Sequence, residues 1–224
     1  MITGILGKKI GMTQNFDENG TRQTITILKV GPCTLQEIKT KEKHGYSAVQ
    51  LGFDETKESR IKKPQLGTLK KNGVAPKKFN KEIRIVQDFT EKVGEAISVK
   101  MFQIGDFVDI IGTSKGKGFQ GGVKRHGWRG GCETHGSMSH RAPGSIGASS
   151  FPSRVTKGHP GPGHMGNERV TVQNIKVMDI IPDENILAVK GSIPGANGGY
   201  VVVKFAKKKT IAPRQKKTEE TAQE

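Results

Sequence analysis

Three groups of residues in this sequence have types and spacings that chemistry uses. Gly116-Lys-Gly118-Phe-Gln-Gly121 matches the G-x-G-x-x-G pattern of a phosphate-cradling turn and comes after a strand-like run, Phe107-Val-Asp-Ile-Ile111. A dinucleotide site also needs a helix next and a carboxylate about 20 residues further on. The next residues are Gly122-Val-Lys-Arg-His-Gly-Trp-Arg-Gly-Gly, too rich in glycine to predict a stable helix. No Gly-Lys-Ser/Thr ends the loop either. Cys132 and His135 have Cys-x-x-His spacing, and His159 and His164 bracket Pro-Gly-Pro-Gly. Structural zinc uses two well-spaced ligand pairs, and catalytic zinc often a His-x-x-x-His on a helix; neither pattern occurs here. A Cys132–His nucleophile pair has no flanking sequence that would build a rigid pocket around it. The sequence therefore assigns no catalytic residue, no metal ligand, no cofactor and no small-molecule substrate.

The same residues suit RNA better. The segment from Gly112 to Arg169 holds five of the six histidines and the single tryptophan, with almost no apolar periodicity. Its candidate contacts are Lys115, Lys117, Lys124, Arg125, His126, Trp128, Arg129, His135, His140, Arg141, Arg154, Lys157, His159, His164 and Arg169, against only Glu133 and Glu168. Lysine and arginine neutralise phosphates, while guanidinium and imidazole planes stack on bases. Glycine lets a backbone approach a sugar-phosphate chain closely. Trp128, between glycines and cations, offers a base-stacking ring worth about 1–3 kcal/mol. The competing reading, an ordinary core tryptophan, is weaker because its neighbours supply no apolar face. A structureless stretch beyond about 12–15 residues is unusual inside a compact domain, so this one reads as an arm ordered by a large polyanion. A DNA-compacting protein and a nucleotide-dependent enzyme are the alternatives.

The composition agrees. The 224 residues carry a formal net charge of +16, and only 33% are hydrophobic, as expected if part of the chain never enters a core. The two cysteines, Cys33 and Cys132, signal no disulfide framework. The N-terminal residues lack the apolar run and cleavage site of a secretion signal, and nowhere does an apolar run approach the roughly 20 residues of a membrane span. A cytoplasmic protein with no membrane partner is expected.

Elements that could position the arm flank it on both sides. Gln23–Val30, Tyr46–Phe53, Glu82–Val86, Ile97–Met101 and Phe107–Ile111 precede it, and Val170–Met178, Ile186–Val189 and Tyr200–Phe205 come after it. Short β-branched runs between Gly, Pro, Asn and Asp turns predict a β-barrel or sandwich. The expected organisation is a mainly β globular domain from 1–111 and 170–206, a small Lys-rich insertion at about 54–96 with a short helix near Gln65–Lys71, the arm at 112–169, and a charged tail at 207–224.

Five motifs in order resemble one family, the third protein of the large ribosomal subunit (L-three) in its bacterial form. They are Gly4-Ile-Leu-Gly-Lys-Lys-Ile-Gly-Met-Thr13, Gly112–Phe119 with Gly121, Lys124 and Arg125, Thr134–Gly147, Met165–Thr171 and Val189–Gly195. The resemblance covers the chain to about Ala206. It implies a translation-protein type β-barrel with an inserted subdomain, and it adds Lys8 and Lys9 to the candidate rRNA contacts. It also implies early binding to large-subunit (23S-type) rRNA that helps nucleate assembly, and a central extension reaching toward the peptidyl-transferase centre without doing chemistry. L-fourteen and L-nineteen are the implied neighbours. The glutamine that some bacterial members methylate falls at Ser150 here, so that modification does not carry over.

Overall fold

In the computed structural model, residues 2–17, 19–85 and 92–209 are described. Strands β1 (Gly4–Phe16) and β2 (Arg22–Val30) pair antiparallel. Then come β3 (Cys33–Lys39), the one-turn helix α1 (Lys41–His44), β4 (Ala48–Glu55), α2 (Lys63–Lys71), β5 (Lys77–Arg84) and the two-residue β6 (Ala96–Ile97). β7 (Phe107–Thr113) precedes β8 (Gly118–Gln120), α3 (Gly122–His126) and β9 (Gly163–Met165). β10 (Arg169–Ile181), β11 (Ile186–Lys190) and β12 (Tyr200–Phe205) complete the chain order.

Six strands close a barrel in the order β1-β12-β7-β10-β11-β2. The fold is mainly β, as the turn-punctuated runs predict. Strand alternation decides what fills the barrel. On β12, Val201, Val203 and Phe205 are buried, while Tyr200, Val202 and Lys204 alternate to the other side. Opposite Val203 stand Ile110 of β7 and Ile5 of β1. With Leu28, Val177, Leu187 and Val189, all fully buried, they form a core of stiff, mostly branched side chains that suits a pleated surface. Each such side chain contributes about 1.5–3 kcal/mol of burial. β10 slips register between Val172 and Ile175, and Asp109 of β7 accepts the Asn174 N–H there at 2.9 Å.

A second sheet, in the order β5-β4-β3-β6, packs its buried Leu35, Val49, Leu51 and Ile83 into the same core. Tyr200, on the outer side of the barrel, is its dock. Phe79 stacks on the ring at 4.8 Å, Phe53 meets it edge-on at 6.3 Å, and the hydroxyl donates to Asp54 at 2.6 Å. Burial, the larger cause, and that contact push the phenol up to about 12.

Several sequence expectations need correction. The second sheet spans Cys33 to Ile97, so it begins before the expected insertion at 54, and Tyr46–Phe53 supplies β4 of that sheet rather than a barrel strand. β3 escapes a period-two reading because its register shifts between Leu35 and Glu37. It also buries Gln36, whose side chain accepts from Gln50 and whose carbonyl accepts from Asn72. β1, a barrel strand, is hidden by its glycines and lysines and by a shift between Lys9 and Gly11. Ile97–Met101 is a strand only at its first residue and then turns through a 3-10 helix at Val99–Met101. The short helix expected near Gln65–Lys71 does form, as α2, with Pro64 in its first turn, where a missing N–H costs nothing. Val86 of the expected Glu82–Val86 strand lies outside the described residues, as does the tail from 210 onward.

Ser114–Glu168 is a compact unit of its own, and the segments before and after it together form the other.

Candidate nucleic-acid interface

The Ser114–Glu168 unit is built from its two ends inward. The Ser114 N–H donates to the Glu168 carbonyl at 2.9 Å, the Glu168 N–H donates to Ser114 Oγ at 3.2 Å, and the Lys117 N–H donates to the Met165 carbonyl at 2.9 Å. β8 and β9 continue the clasp, with Gly118 opposite Met165 and Gln120 opposite Gly163. Gly166 makes the clasp possible. Its φ is +78°, and a Cβ there would strike the Lys115 carbonyl, so both the conformation and the space require glycine. Two of the sequence motifs, far apart along the chain, thus prove to be the two sides of one joint.

Next comes α3, a five-residue helix that contradicts the expectation of none. It is one turn long, closed by left-handed Gly127, and has no carboxylate, so it supplies neither the length nor the acid of a nucleotide-binding βαβ unit. Its side chains brace the unit. Arg125 Nη1 donates to the Gly161 carbonyl at 2.8 Å, and His126 Nε2 lies 3.0 Å from the same oxygen. Trp128 is half-buried, with its six-membered ring directly over Gly122. The base-stacking expectation is corrected on that face, which the unit's own backbone covers. Beyond it, the Gly131 N–H donates to the His140 carbonyl at 3.1 Å, and His140 Nδ1 lies 2.9 Å from the Cys132 carbonyl.

This bracing sorts the expected contact residues. Lys115, Lys117, Arg125, His126 and His164 come together around a cleft of about 500 Å³, with Glu168 as its acid. Arg129, His140 and Arg141 line a second hollow of about 340 Å³ with Glu133. Lys124 is exposed on α3, and His135 is exposed with left-handed backbone. Arg154, Lys157 and His159 lie in a run, 138–160, in which every residue is exposed. Among the described residues, no ion pair involves any cation of this unit. Exposed apolar side chains, absent from the expected contacts, interrupt that run: Met138 is 99% exposed and Phe151 89%. Their signal was apolar residues set in a Gly/Ser/Pro context without apolar partners.

Three expected contacts fall in the globular unit. Arg169 opens β10 opposite Thr113 and is exposed. Lys8 sits 6.0 Å from the Tyr200 ring centre. Lys9 is the clear departure. It is only 6% exposed, and its ammonium donates to the carbonyls of Ile193 at 3.2 Å and Gly195 at 3.5 Å. A buried ammonium needs such partners to offset its desolvation, so Lys9 holds the Ile193–Gly195 loop against β1 rather than facing outward.

A doubly clasped, cation-lined insertion in a β-barrel chain is a specific combination, and comparison with known proteins places it. The family model described as Ribosomal protein L3 matches residues 5–184. The chain belongs to the ribosomal protein L3 family. The large ribosomal subunit protein uL3 of Solibacter usitatus is 53% identical over 210 residues, covering 93% of this chain and all of that one. Those of Brachyspira pilosicoli and Herpetosiphon aurantiacus are 48% and 49% identical, over 93% and 94% of this chain and 95% and 99% of theirs. The family is a structural component of the ribosome and not an enzyme, which removes the nucleotide-dependent enzyme as a reading of the Gly116–Gly121 loop. The L3 family match covers the whole Ser114–Glu168 unit, clefts included.

Proposed function

We propose that this protein is a structural constituent of the large ribosomal subunit that binds large-subunit rRNA directly through the Ser114–Glu168 unit. The observation that carries the reading is charge without counter-charge: eight lysines and arginines stand in that unit against Glu133 and Glu168, with no ion pair to either acid among the described residues. Such a surface attracts phosphates and gains from counterion release. Exposed Met138 and Phe151 add apolar contact for unstacked bases, and duplex regions are read by shape. The L3 family assignment supports further expectations: a role in nucleating early assembly, an extension toward the peptidyl-transferase centre, L-fourteen and L-nineteen as neighbours, and a cytoplasmic location.

The test has two parts. The protein should co-sediment with large subunits through a high-salt wash, whereas a loosely held factor washes off. Replacing Lys115, Lys117, Lys124 and Arg129 with alanine should then make log K against log salt for rRNA shallower by about 3 units, at about 0.7–0.9 per phosphate contact. An unchanged slope would refute the proposal, and a strong preference for duplex DNA over rRNA at physiological salt would favour DNA compaction instead.

A further inference from the structure

The globular unit carries a cationic groove that the sequence motifs reach only at Gly112, Thr113 and Arg169. It lies where the second sheet meets the outer side of the barrel, holds about 530 Å³, and has an apolar floor of Phe79, Ile111, Tyr200 and Val202. Val202 and Ile111 are cross-strand partners, so the floor is continuous between β12 and β7. Its rim carries Lys81 from β5, Lys204 from β12 and Arg169 from β10.

The acids nearby are already committed. Glu82, which also lines the groove, is held by Lys39 at 2.5 Å and by the Tyr46 hydroxyl at 2.8 Å. Lys39 first, then Tyr46, keep its carboxyl below the usual range. Asp109, cross-strand from Lys204, accepts the backbone N–H groups of Asn174 and Lys207. Among the described residues, Lys81, Lys204 and Arg169 have no carboxylate within ion-pair distance. Burial first, then the charges of Arg169 and Lys207, push the Lys204 ammonium down from its usual value. The cations therefore repel one another across a surface that an anion would relax.

We propose that this groove is a second RNA contact, in which Lys81, Lys204 and Arg169 take a phosphodiester of large-subunit rRNA and the adjoining nucleotide lies over the apolar floor. A phosphodiester brings a fixed negative charge and a flat, partly apolar base together, and the groove offers both complements side by side. An acidic peptide would meet the cations but set its own solvated main chain over the floor. The inference rests on the rRNA-binding reading and extends it to the globular unit.

The test uses the full chain and large-subunit rRNA transcribed in vitro, with binding followed across a potassium chloride series. The Lys81→Ala/Lys204→Ala variant should bind several-fold more weakly and with a slope shallower by about 1–2 units. Lys204→Arg should behave as wild type, and melting curves should show all variants folded. Lys81 is exposed, so Lys81→Ala alone carries the test if the double variant melts early. If the groove variants keep wild-type affinity and slope while Lys115→Ala/Lys117→Ala loses both, the groove proposal fails and the rRNA reading stands. If the wild type shows no preference for rRNA, both fail. Polyglutamate that binds wild type but not the double variant, while the two bind rRNA with equal affinity and slope, would assign the groove to an acidic peptide and also overturn the RNA assignment.

Discussion

Gly122→Ala tests whether the unit between Ser114 and Glu168 has packing of its own. Two opposing effects meet at this position. Gly122 lies in the first turn of α3, where alanine is favoured over glycine by about 1 kcal/mol. A Cβ at that point would lie within the ring carbons of Trp128, and forcing atoms into a filled site costs about 1–3 kcal/mol. Trp128 cannot give way cheaply, because the contact is with the rigid fused ring rather than a flexible chain end. That rigidity places the cost in the upper part of the range, about 2–3 kcal/mol, so the expected net is a loss of about 1–2 kcal/mol from the packed arrangement, a shift of roughly 5–30-fold in the packed-to-open ratio. The readout is clean, since Trp128 is the only tryptophan. Its emission should move to the red and become more open to acrylamide quenching. The barrel melt should not move, because no residue of the hydrophobic core cluster lies between 114 and 168. An unchanged emission maximum and quenching constant, with helix content raised, would show that propensity wins and that the ring does not rest on Gly122.

The other predictions use the same reasoning. Lys124→Ala should flatten the salt slope by about 0.7–0.9 and leave Trp128 emission unchanged. Arg125→Ala instead removes the bond to the Gly161 carbonyl, worth about 1–3 kcal/mol, and should speed proteolytic cleavage near 158–162; equal cleavage rates would show that Arg125 does no bracing. Burial pushes the Cys33 thiol from its ordinary 9.0 up to about 12, while Cys132 is exposed, so a thiol reagent at about pH 8 should consume one thiol quickly and the second only in denaturant. Because the folded state holds the Cys33 proton more tightly, its contribution is complete below pH about 9 and is lost as pH rises toward about 12; Tyr200 acts in the same direction above its ordinary 10.0. Tyr200→Phe keeps the Phe79 stack but loses the 2.6 Å bond to Asp54, and urea unfolding should show a loss of about 1–2 kcal/mol at unchanged m.

Legibility in the sequence depends on composition more than on period. β2, β7, β10, β11 and β12 are runs dense in Val, Ile and Thr between turn residues, and that composition survives in the primary structure even in β10, whose register also shifts. β1, rich in glycine and lysine, and β3, which carries Gln36, Glu37 and Lys39, lack that composition. They have no clean period to replace it, because a one-residue register shift flips every later side chain to the other face, and both contain one, between Lys9 and Gly11 and between Leu35 and Glu37. The cation surplus of the Ser114–Glu168 unit is legible, since eight lysines and arginines against two glutamates is a compositional fact. The internal order of the expected contacts is not. Whether Arg125 faces outward or ties down Gly161, whether Trp128 is free or rests on Gly122, and whether Lys9 is a surface cation or a buried donor all depend on the path of the backbone. The Gly161 carbonyl is 36 residues from Arg125, and the Ile193 carbonyl is 184 residues from Lys9.

If the Ser114–Glu168 unit binds rRNA as proposed, the placement of the glycines changes the energetics of recognition. An arm with no internal order would lose about 1–2 kcal/mol of backbone entropy for every residue fixed on RNA. In this chain the first part of that cost is met internally. The Ser114–Lys117 and Met165–Glu168 backbones bond to one another, and Gly131 bonds to His140. Gly166 is there for a close approach to the chain's own carbonyl and Gly122 for one to its own tryptophan, so neither is reserved for a phosphate. The cations at 115 and 117 are consequently held at fixed spacing beside the clasp, where phosphate contact requires little further ordering. The exposed run 138–160 shows no such long-range backbone bonds at its centre among the described residues, so ordering it must be offset by its own contacts. Met138, Phe151, Arg154 and Lys157 are the side chains able to supply them. On the proposed rRNA-binding reading, the free energy of binding is therefore divided unevenly, with charge at the root contributing at little entropic cost and apolar and cationic contacts at the far residues offsetting their own.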